Sequence, residues 1–269
     1  MAPSPDTYTH GHHEAVLRSH RWRTAANSAA YLIPHLRAGM RLLDVGCGPG
    51  TLTADLAALV APGEVVGIDL SAEVVVEAEA HAREVGVGNV TFQIGDFRTA
   101  DLRPGSFDVV HAHQVLQHLA DPIGALRAMR RLAGEAGMVA ARDADYSAMV
   151  WFPGAPQLER WLEIYLAVTG RNGAEANAGR RLLSWARDAG FADVGYSTST
   201  WTFATPGDRS WWSGLWAERT TSSTFAHQAV EYGIASPAEL EEVAAGWRAW
   251  GGAADGVFVV VCGEIVARG

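Results

Sequence analysis

The chain of 269 residues is long enough for one large domain, or for a core domain with a cap, and its 30 acidic and 21 basic residues give a formal net charge of −9. Because no Lys/Arg cluster is available to neutralise phosphates, this balance argues against nucleic acid as a partner and favours a small-molecule substrate. Two cysteines are too few for a disulfide framework, and the chain shows neither a leader nor the roughly 18 consecutive apolar residues of a membrane span. We therefore expect a cytoplasmic protein without membrane insertion, and a homodimer is compatible with these features.

The N-terminal region begins polar and then predicts a helix from about residue 14. Its three histidines, His10, His12 and His13, could suggest a metal site. A histidine cluster at the start of a chain is usually solvated, however, so we predict no metal. A second apolar pattern, over residues 28–36, has helical spacing and leads into the first strand.

An apolar strand then breaks into a glycine-rich loop in the segment LLDVGCGPG. Gly46, Gly48 and Gly50 permit positive φ and remove side chains from one side of the loop, so a ligand can contact the backbone. A dinucleotide fingerprint would place its third glycine where this chain has Thr51. Asp44 would repel a pyrophosphate but suits a ligand with an ammonium group. The loop therefore favours S-adenosylmethionine over NAD(P), with a turn that binds nothing as the remaining alternative.

The sequence DVGCGPG resembles the first motif of class I S-adenosylmethionine-dependent methyltransferases. From about residue 41 to 143 the chain resembles most the ubiquinone and menaquinone type of small-molecule methyltransferase. The resemblance implies S-adenosyl-L-methionine as cofactor, S-adenosyl-L-homocysteine as product, and contact between the cofactor and the loop, Cys47 included. It also implies an N-terminal helix that folds over the methionine end of the cofactor, which would bring Tyr8 and His12 near the substrate. A simple surface helix is the alternative.

The fold implied by this resemblance is α/β and Rossmann-like. We expect a seven-stranded, mostly parallel sheet with helices on both faces and a helical, Trp-rich substrate cap. The predicted segments are an N-terminal lid, a cofactor-binding core, a helical substrate-binding segment with one core strand, and a closing strand: 1–36, 37–145, 146–252 and 253–269.

The second predicted strand, 64–69, ends in Asp69, with Leu70 beside it. A carboxylate accepts hydrogen bonds only, so it can bind both ribose hydroxyls of the cofactor. The alternative is that Asp69 caps the helix that starts near Ser71. The parallel strands place this acid at the same edge of the sheet as the glycine loop.

The third predicted strand, 90–97, ends in Gly95, Asp96 and Phe97. This segment resembles the part of the family that grips adenine. The resemblance implies that the carboxylate accepts the exocyclic amine and that the apolar residue lies against the ring. A solvated loop aspartate is the alternative for Asp96.

The fourth predicted strand, 107–113, should bring His113 and Gln114 close to the methionine moiety and the transferable methyl group, because ligands bind beyond the carboxyl ends of parallel strands. His113 and His118 are the candidate general bases, since imidazole titrates near neutral pH. The alternative for both is a hydrogen-bonded scaffold role.

The rest of the chain predicts a fifth strand, a cap rich in tryptophan, and a last strand that pairs antiparallel beside the fifth. Of the ten tryptophans, nine lie between residues 146 and 250. Trp151, Trp211, Trp212 and Trp216 could wall an aromatic pocket, with one or two in contact with substrate. Trp151 and Trp211 are our substrate-binding candidates. Predicted strands and helices in this half are 137–143, 158–168, 180–189, 193–203, 209–219, 237–250 and 257–268.

Together these features predict a methyltransferase that moves a methyl group from S-adenosylmethionine to an O, N or C atom of a small, aromatic or apolar molecule by in-line displacement. A protein that binds the same cofactor without methylating is the first alternative. An NAD(P)-dependent oxidoreductase is the second.

Overall fold

The computed structural model describes Thr9 and residues 14–269. In this part of the chain one sheet contains eight strands, in the order β3-β2-β1-β4-β5-β8-β6, with β7 paired to β8. The strands are β1 Leu42–Val45, β2 Val65–Asp69, β3 Val90–Ile94, β4 Val109–His113, β5 Met138–Ala144, β6 Val150–Phe152, β7 Asp193–Phe203 and β8 Val257–Arg268.

Ten α-helices lie in the described part of the chain. They are α1 Glu14–Arg21, α2 Ala25–Ser28, α3 Thr51–Val60, α4 Ala72–Glu84, α5 Pro122–Ala133, α6 Pro156–Arg171, α7 Ala178–Asp188, α8 Pro206–Ser222, α9 Thr224–Glu231 and α10 Pro237–Gly251. Thr205 and Ser236 begin α8 and α10 with capping boxes, each followed by proline, which satisfies the first free amides of these helices. None of the described helices has the length and apolar character needed to cross a membrane.

The sheet confirms the predicted Rossmann-like fold. Strands β1 to β5 pair in parallel, and β8 pairs antiparallel with β5 as expected. The described sheet has one strand more than the seven predicted, because β5 and the short β6 pair with successive parts of the same edge of β8, while β7 follows the other edge. The 3-10 turn Tyr146–Ala148 separates β5 from β6, so the two strands pair with different parts of β8.

Helices cover both faces of the sheet because consecutive strand residues point to opposite sides. Leu43 packs in a cluster with Leu126 of α5 and Leu182 of α7. Leu42 packs on the other face, in a cluster with Leu56 of α3. Strand β1 is therefore buried on both sides, which explains its uninterrupted apolar run before Asp44.

The cap has a core of its own, formed by α6, α8, α9 and α10 with the ends of β7 and β8. Trp161, Trp216 and Trp247 are almost completely buried in it. The rings of Trp161 and Trp216 meet edge to face, with centroids 4.6 Å apart. This cluster confirms the predicted Trp-rich cap.

Two local predictions differ from the structure. The predicted helix over 28–36 is a 3-10 turn, Ile33–His35, preceded by the short α2, because proline at position 34 removes an amide that a continuing helix needs. Helix α9 has no counterpart in the sequence prediction. Only Ser223 separates it from α8, so no loop marks the start of a second helix.

Candidate functional site

A cavity of about 220 Å³ lies at the carboxyl edge of the parallel strands. It is bordered by the loop after β1, by the residues that follow β2, β3 and β4, and by residues of the N-terminal segment, β7 and α8. Residues from these seven regions of the chain therefore meet at one place, as expected for the ligand-binding edge of a doubly wound sheet.

The glycine loop is shaped by positive φ angles and close packing. Gly46 has φ 66°, and a β-carbon there would lie 2.5 Å from Cγ2 of Val115. Gly48 has φ 55° and donates its amide to Oδ2 of Asp69 at 3.0 Å. Cys47 borders the cavity, but burial raises the pKa of its thiol well above the ordinary value. The thiol therefore stays protonated at neutral pH and acts as a packing group.

Gly50, a predicted cofactor-binding residue, is not among the residues that border the cavity. It begins α3 with φ 79°, and a β-carbon there would lie 2.7 Å from Cβ of Ala78 in α4. The third glycine is needed for helix packing and for the turn, and it lies one layer behind the loop surface.

Asp44 is buried, and both carboxylate oxygens are bound by the protein. Oδ1 lies 2.7 Å from Nδ1 of His111, and Oδ2 accepts from the Thr53 hydroxyl at 2.5 Å. The acid therefore ties β1 to β4 and to α3 beneath the loop, while it still borders the cavity. The sequence analysis did not single out His111 because it lies inside an apolar strand. Its position in register with Asp44 on the neighbouring strand is what indicates the pair.

Asp69 holds the glycine loop and the start of α4 together. Besides the bond from Gly48, its Oδ1 accepts the Ser71 amide at 3.1 Å. The helix cap is Ser71 itself, whose hydroxyl accepts the Val74 amide. Asp69 thus keeps lone pairs at the cavity border, beside the exposed Leu70.

Gly95, Asp96 and Phe97 all border the cavity. Arg98, which the sequence analysis did not single out, donates hydrogen bonds from Nε and Nη2 to the Asp96 carboxylate at 2.7 to 3.0 Å. Burial alone would raise the pKa of Asp96, but the hydrogen bonds and charge of Arg98 outweigh it, and the pKa lies below its ordinary value. The acid is therefore ionised at neutral pH, and it is not the solvated loop residue of the alternative.

Gln114 follows β4 in the left-handed region, with φ 54°. Its side-chain oxygen accepts from NH2 of Arg23 at 2.7 Å, and both residues border the cavity. Residues other than glycine rarely adopt left-handed backbone angles. They do so where the surrounding contacts hold the backbone in that conformation. Arg23, between α1 and α2, was missed because nothing local links it to position 114.

His113 is buried on the cavity wall, with its ring centroid 5.7 Å from that of Trp201. Neither ring nitrogen has a hydrogen-bond partner among the described residues. Burial lowers the pKa of His113 well below 6.5, and the charges of Arg23 and Arg142 lower it further. The imidazole is therefore neutral at pH 7 and can accept a proton.

His118 also borders the cavity, but its hydrogen bonds favour the scaffold alternative. The side-chain oxygen of Gln117 accepts the Ala144 amide at 3.1 Å, which turns the amide nitrogen toward Nε2 of His118, 3.0 Å away. Nε2 must then accept, so Nδ1 carries the proton. Burial, followed by the charge of Arg23, lowers the pKa of His118 to about 3.

Of the four tryptophans considered for the aromatic wall, Trp212 and Trp216 border the cavity, and the two substrate-binding candidates do not. Trp151 stacks on Phe258 at 5.8 Å, and Trp211 packs on Trp22 at 5.5 Å; neither Trp151 nor Trp211 borders the cavity. The tryptophans on the wall are Trp22, Trp201, Trp212 and Trp216. Positions 212 and 216 lie four residues apart on one face of α8, whereas position 211 is turned about 100° away.

Tyr8 and His12, the predicted substrate contacts of the N-terminal segment, lie outside the described residues. Helix α1 beyond them lies over the cavity, which Leu17 and His20 border. The buried guanidinium of Arg219 in α8 donates to the carbonyl oxygens of Ala15 and Val16, at 3.0 to 3.3 Å, and to the Ser19 hydroxyl. No group of three or more potential metal ligands occurs in the part of the chain that the structure describes.

Comparison with known proteins agrees with this geometry. Residues 36–190, more than half of the chain, match the family model of a methyltransferase domain. The chain belongs to this family, and with its sheet order and glycine loop it is a class I S-adenosylmethionine-dependent methyltransferase.

Three relatives illustrate the similarity. An uncharacterised methyltransferase of Schizosaccharomyces pombe is 31% identical over 97% of this chain and 96% of its own length. A ubiquinone biosynthesis O-methyltransferase of Methylococcus capsulatus is 35% identical over 62% of this chain and 71% of its own length. The structure of phosphoethanolamine N-methyltransferase 2 of Haemonchus contortus, in complex with phosphomonomethylethanolamine and S-adenosylhomocysteine, superposes with a TM-score of 0.57 and 17% identity, over 95% of this chain and 57% of that one. That last likeness shows a shared fold.

Proposed function

We propose that this methyltransferase transfers the methyl group to an O, N or C atom of a small, aromatic or apolar molecule. The observation that carries the proposal is one cavity bordered both by the glycine loop with Asp69 and by the aromatic side chains Trp201, Trp212 and Trp216. A cofactor and an apolar acceptor can therefore meet in the same enclosed space.

The residues of the cavity border fit S-adenosylmethionine. The backbone of Gly46, Cys47 and Gly48 leaves a surface without large side chains. Asp69 with Leu70 would hold the ribose, and Gly95, Asp96 and Phe97 would hold the adenine. Asp44, through the strand end that it fixes, and His113 with Gln114 would face the methionine moiety. When bound, the cofactor supplies a methyl group on a positively charged sulfur that leaves as a neutral thioether.

The protein contributes alignment and the exclusion of water. Trp201, Trp212 and Trp216, with Met149 and Val260, give the acceptor side an apolar wall. Holding two reactants in line in such a site supplies up to about 7 to 11 kcal/mol of barrier reduction. His113 would accept a hydrogen bond or a proton from the attacking group, but its lowered pKa makes it a weak base, so alignment supplies most of the acceleration.

Calorimetric titration with S-adenosylmethionine, S-adenosylhomocysteine and NAD tests the cofactor site. Binding of the first two without NAD supports the proposal, and binding of NAD alone contradicts it. Incorporation of labelled methyl groups over a panel of phenols, amines, indoles and quinols tests the transfer. Tight cofactor binding without turnover on any member would favour a cofactor-binding protein with a non-methylating role.

We further propose that residues 1–36 act as a lid over the 37–145 core, in contact with the helical segment 146–252. The contacts of Arg219 with α1 support this arrangement. The cytoplasmic location, the homodimer and the exclusion of nucleic acid stay predictions.

A further inference from the structure

A side-chain bridge at the base of the glycine loop contains a histidine that has no role in the proposed function so far. His111 is completely buried on β4, in register with Asp44 on β1. Its Nδ1 lies 2.7 Å from Oδ1 of Asp44, and the Thr53 hydroxyl of α3 donates to Oδ2 of the same carboxylate at 2.5 Å. Asp44 precedes the loop and Thr53 follows it, so the bridge joins both ends of the loop to β4.

The bridge fixes two backbone segments relative to each other, and both segments border the cavity. One is the glycine loop at residues 46–48, and the other is the end of β4 at His113 and Gln114. His111 precedes His113 by two residues, so both rings lie on the same face of β4. Under the proposed function, the methionine moiety of the cofactor lies between these two segments. His111 is therefore placed to orient Asp44 without bordering the cavity itself.

The hydrogen bonds indicate that His111 is neutral and that Asp44 keeps its negative charge. Nε2 of His111 has no partner among the described residues. In an imidazolium both ring nitrogens are donors, so Nε2 would carry a buried proton without an acceptor, which is costly. In the neutral ring Nδ1 donates to the carboxylate and Nε2 keeps only a lone pair. A neutral donor stabilises the ionised carboxylate without cancelling its charge.

The neighbouring cations leave this negative charge in place at the methionine side. No arginine of the described chain forms an ion pair with Asp44. Arg142 is paired with Glu264, and Arg23 donates to Gln114 at the cavity border, where a cation suits the carboxylate of an aminoacyl group. Opposite charges attract each other over several ångströms in a site of low dielectric constant. Asp44, which borders the cavity, can therefore attract an ammonium group without touching it.

We propose that His111 is a positioning residue that keeps the Asp44 carboxylate ionised and oriented toward the ammonium group of S-adenosylmethionine. This inference rests on the proposed function and adds a residue that acts on the cofactor only through another residue. Without Nδ1 of His111, the buried carboxylate has one donor fewer, which favours its protonation or its rotation. Either change weakens the attraction for the ammonium group and leaves the ribose and adenine contacts intact.

The test compares three ligands that differ at the aminoacyl end. S-adenosylhomocysteine carries an ammonium and a carboxylate, its deaminated analogue carries the carboxylate alone, and 5′-methylthioadenosine carries neither. Calorimetric titration of the full chain measures each affinity. In His111→Val, S-adenosylhomocysteine should bind at least about fivefold more weakly than in the wild type, whereas the other two affinities should change by less than about twofold. Equal losses for S-adenosylhomocysteine and its deaminated analogue would overturn the inference, because the histidine would then only support the fold.

Two further variants separate the hydrogen bond from packing. His111→Asn keeps a side-chain donor close to the position of Nδ1 and should recover most of the lost affinity for S-adenosylhomocysteine; a folded variant without recovery would refute the role of the hydrogen bond. The packing control is Val110→Ala, in the apolar cluster on the opposite face of the same strand, which should lower stability and leave the ratios of the three affinities unchanged.

A measurement on the wild type decides the matter if His111→Val does not fold. The nitrogen chemical shifts of His111 report which ring nitrogens carry protons. A proton on Nδ1 alone supports the inference, and a ring protonated on both nitrogens or on Nε2 alone refutes it. Failure of the wild type to bind S-adenosylhomocysteine would instead defeat the proposed function itself.

Discussion

Asp69 links the glycine loop to α4 and lies at the border of the proposed cofactor site. Its carboxylate accepts amides from Gly48 in the loop and Ser71 at the start of α4, at 3.0 and 3.1 Å. Both bonds hold the acid at the cavity border, where it can accept the ribose hydroxyls. Ser71 caps the helix with its own hydroxyl, which favours the ribose role of Asp69 over the alternative of a helix cap.

Replacement of Asp69 by alanine should lower the affinity for S-adenosylhomocysteine by at least about 1.4 kcal/mol, or tenfold, because two hydroxyls lose a charged acceptor. Isothermal titration calorimetry measures the change. The matched control is Ser71→Ala, which should cost about 1 kcal/mol of stability through the lost cap and leave the affinity nearly unchanged. Equal affinities for the Asp69 variant and the wild type would show that this acid is structural only.

Among the helices, the contact of α3 with α4 explains the third glycine of the loop. Gly50 starts α3 with φ 79°, and a β-carbon would lie 2.7 Å from Cβ of Ala78. Gly86 has a similar φ of 73°, but no atom lies within 4 Å of its would-be β-carbon. A comparison of substitutions at the two glycines therefore separates the free-energy cost of backbone strain from the cost of overpacking.

Gly86→Ala should therefore cost only the left-handed backbone strain, about 1 kcal/mol. Gly50→Ala adds overpacking against α4 and should cost about 1 to 3 kcal/mol more. Urea unfolding of both variants compares the two costs. If Gly50→Ala were as stable as Gly86→Ala but bound S-adenosylhomocysteine much more weakly, Gly50 would be a ligand contact and the packing explanation would be wrong.

Helix α1 depends on one buried arginine for its position over the cavity. Arg219→Leu removes the donors to the carbonyl oxygens of Ala15 and Val16, so hydrogen exchange of α1 amides should accelerate and the affinity for S-adenosylhomocysteine should fall several-fold. The control Arg18→Gln breaks only the half-exposed pair with Glu218, which is worth about 1 kcal/mol or less. Unchanged exchange of α1 in Arg219→Leu would argue against the lid.

The stability of the whole molecule should depend on pH through Asp143, which is completely buried on β5. Burial raises the pKa of its carboxyl from 3.8 to about 8, against the opposing effects of backbone bonds and of Arg142. Between these values the native state keeps a proton that the unfolded chain releases. The free energy of unfolding therefore falls as pH rises through this window.

Asp143→Asn keeps an acceptor for the Gln117 amide, which Oδ1 now accepts at 3.1 Å, and removes the ionisation. Relative to wild type, the variant should gain on the order of 1 kcal/mol per pH unit between about pH 5 and pH 8. Denaturant unfolding at both pH values measures the gain, and the buried histidines cancel because both proteins contain them. A difference that does not change with pH would show that Asp143 is ionised in the native state.

The sequence by itself determined the sheet, the glycine loop and the acids at the strand ends. Strands such as β1 and β3 are readable because an apolar run or a period of two reflects burial on fixed sides, and this information is local. The loop is readable because glycine adopts φ angles such as the 66° of Gly46 far more readily than other residues do. The position of Asp69 is predictable from the strand and the loop together, because the acid ends a strand and parallel strands end at the same edge of the sheet.

Only the tertiary structure decided which side chains share the cavity. Arg23 meets Gln114 across 91 residues, and His111 meets Asp44 across 67. Such pairs depend on which strands and helices become neighbours, and no periodicity within one segment encodes that. The tryptophans show the same limit. Composition indicated an aromatic cap, but the rotation of α8 kept Trp211 off the wall and the path of β7 placed Trp201 on it.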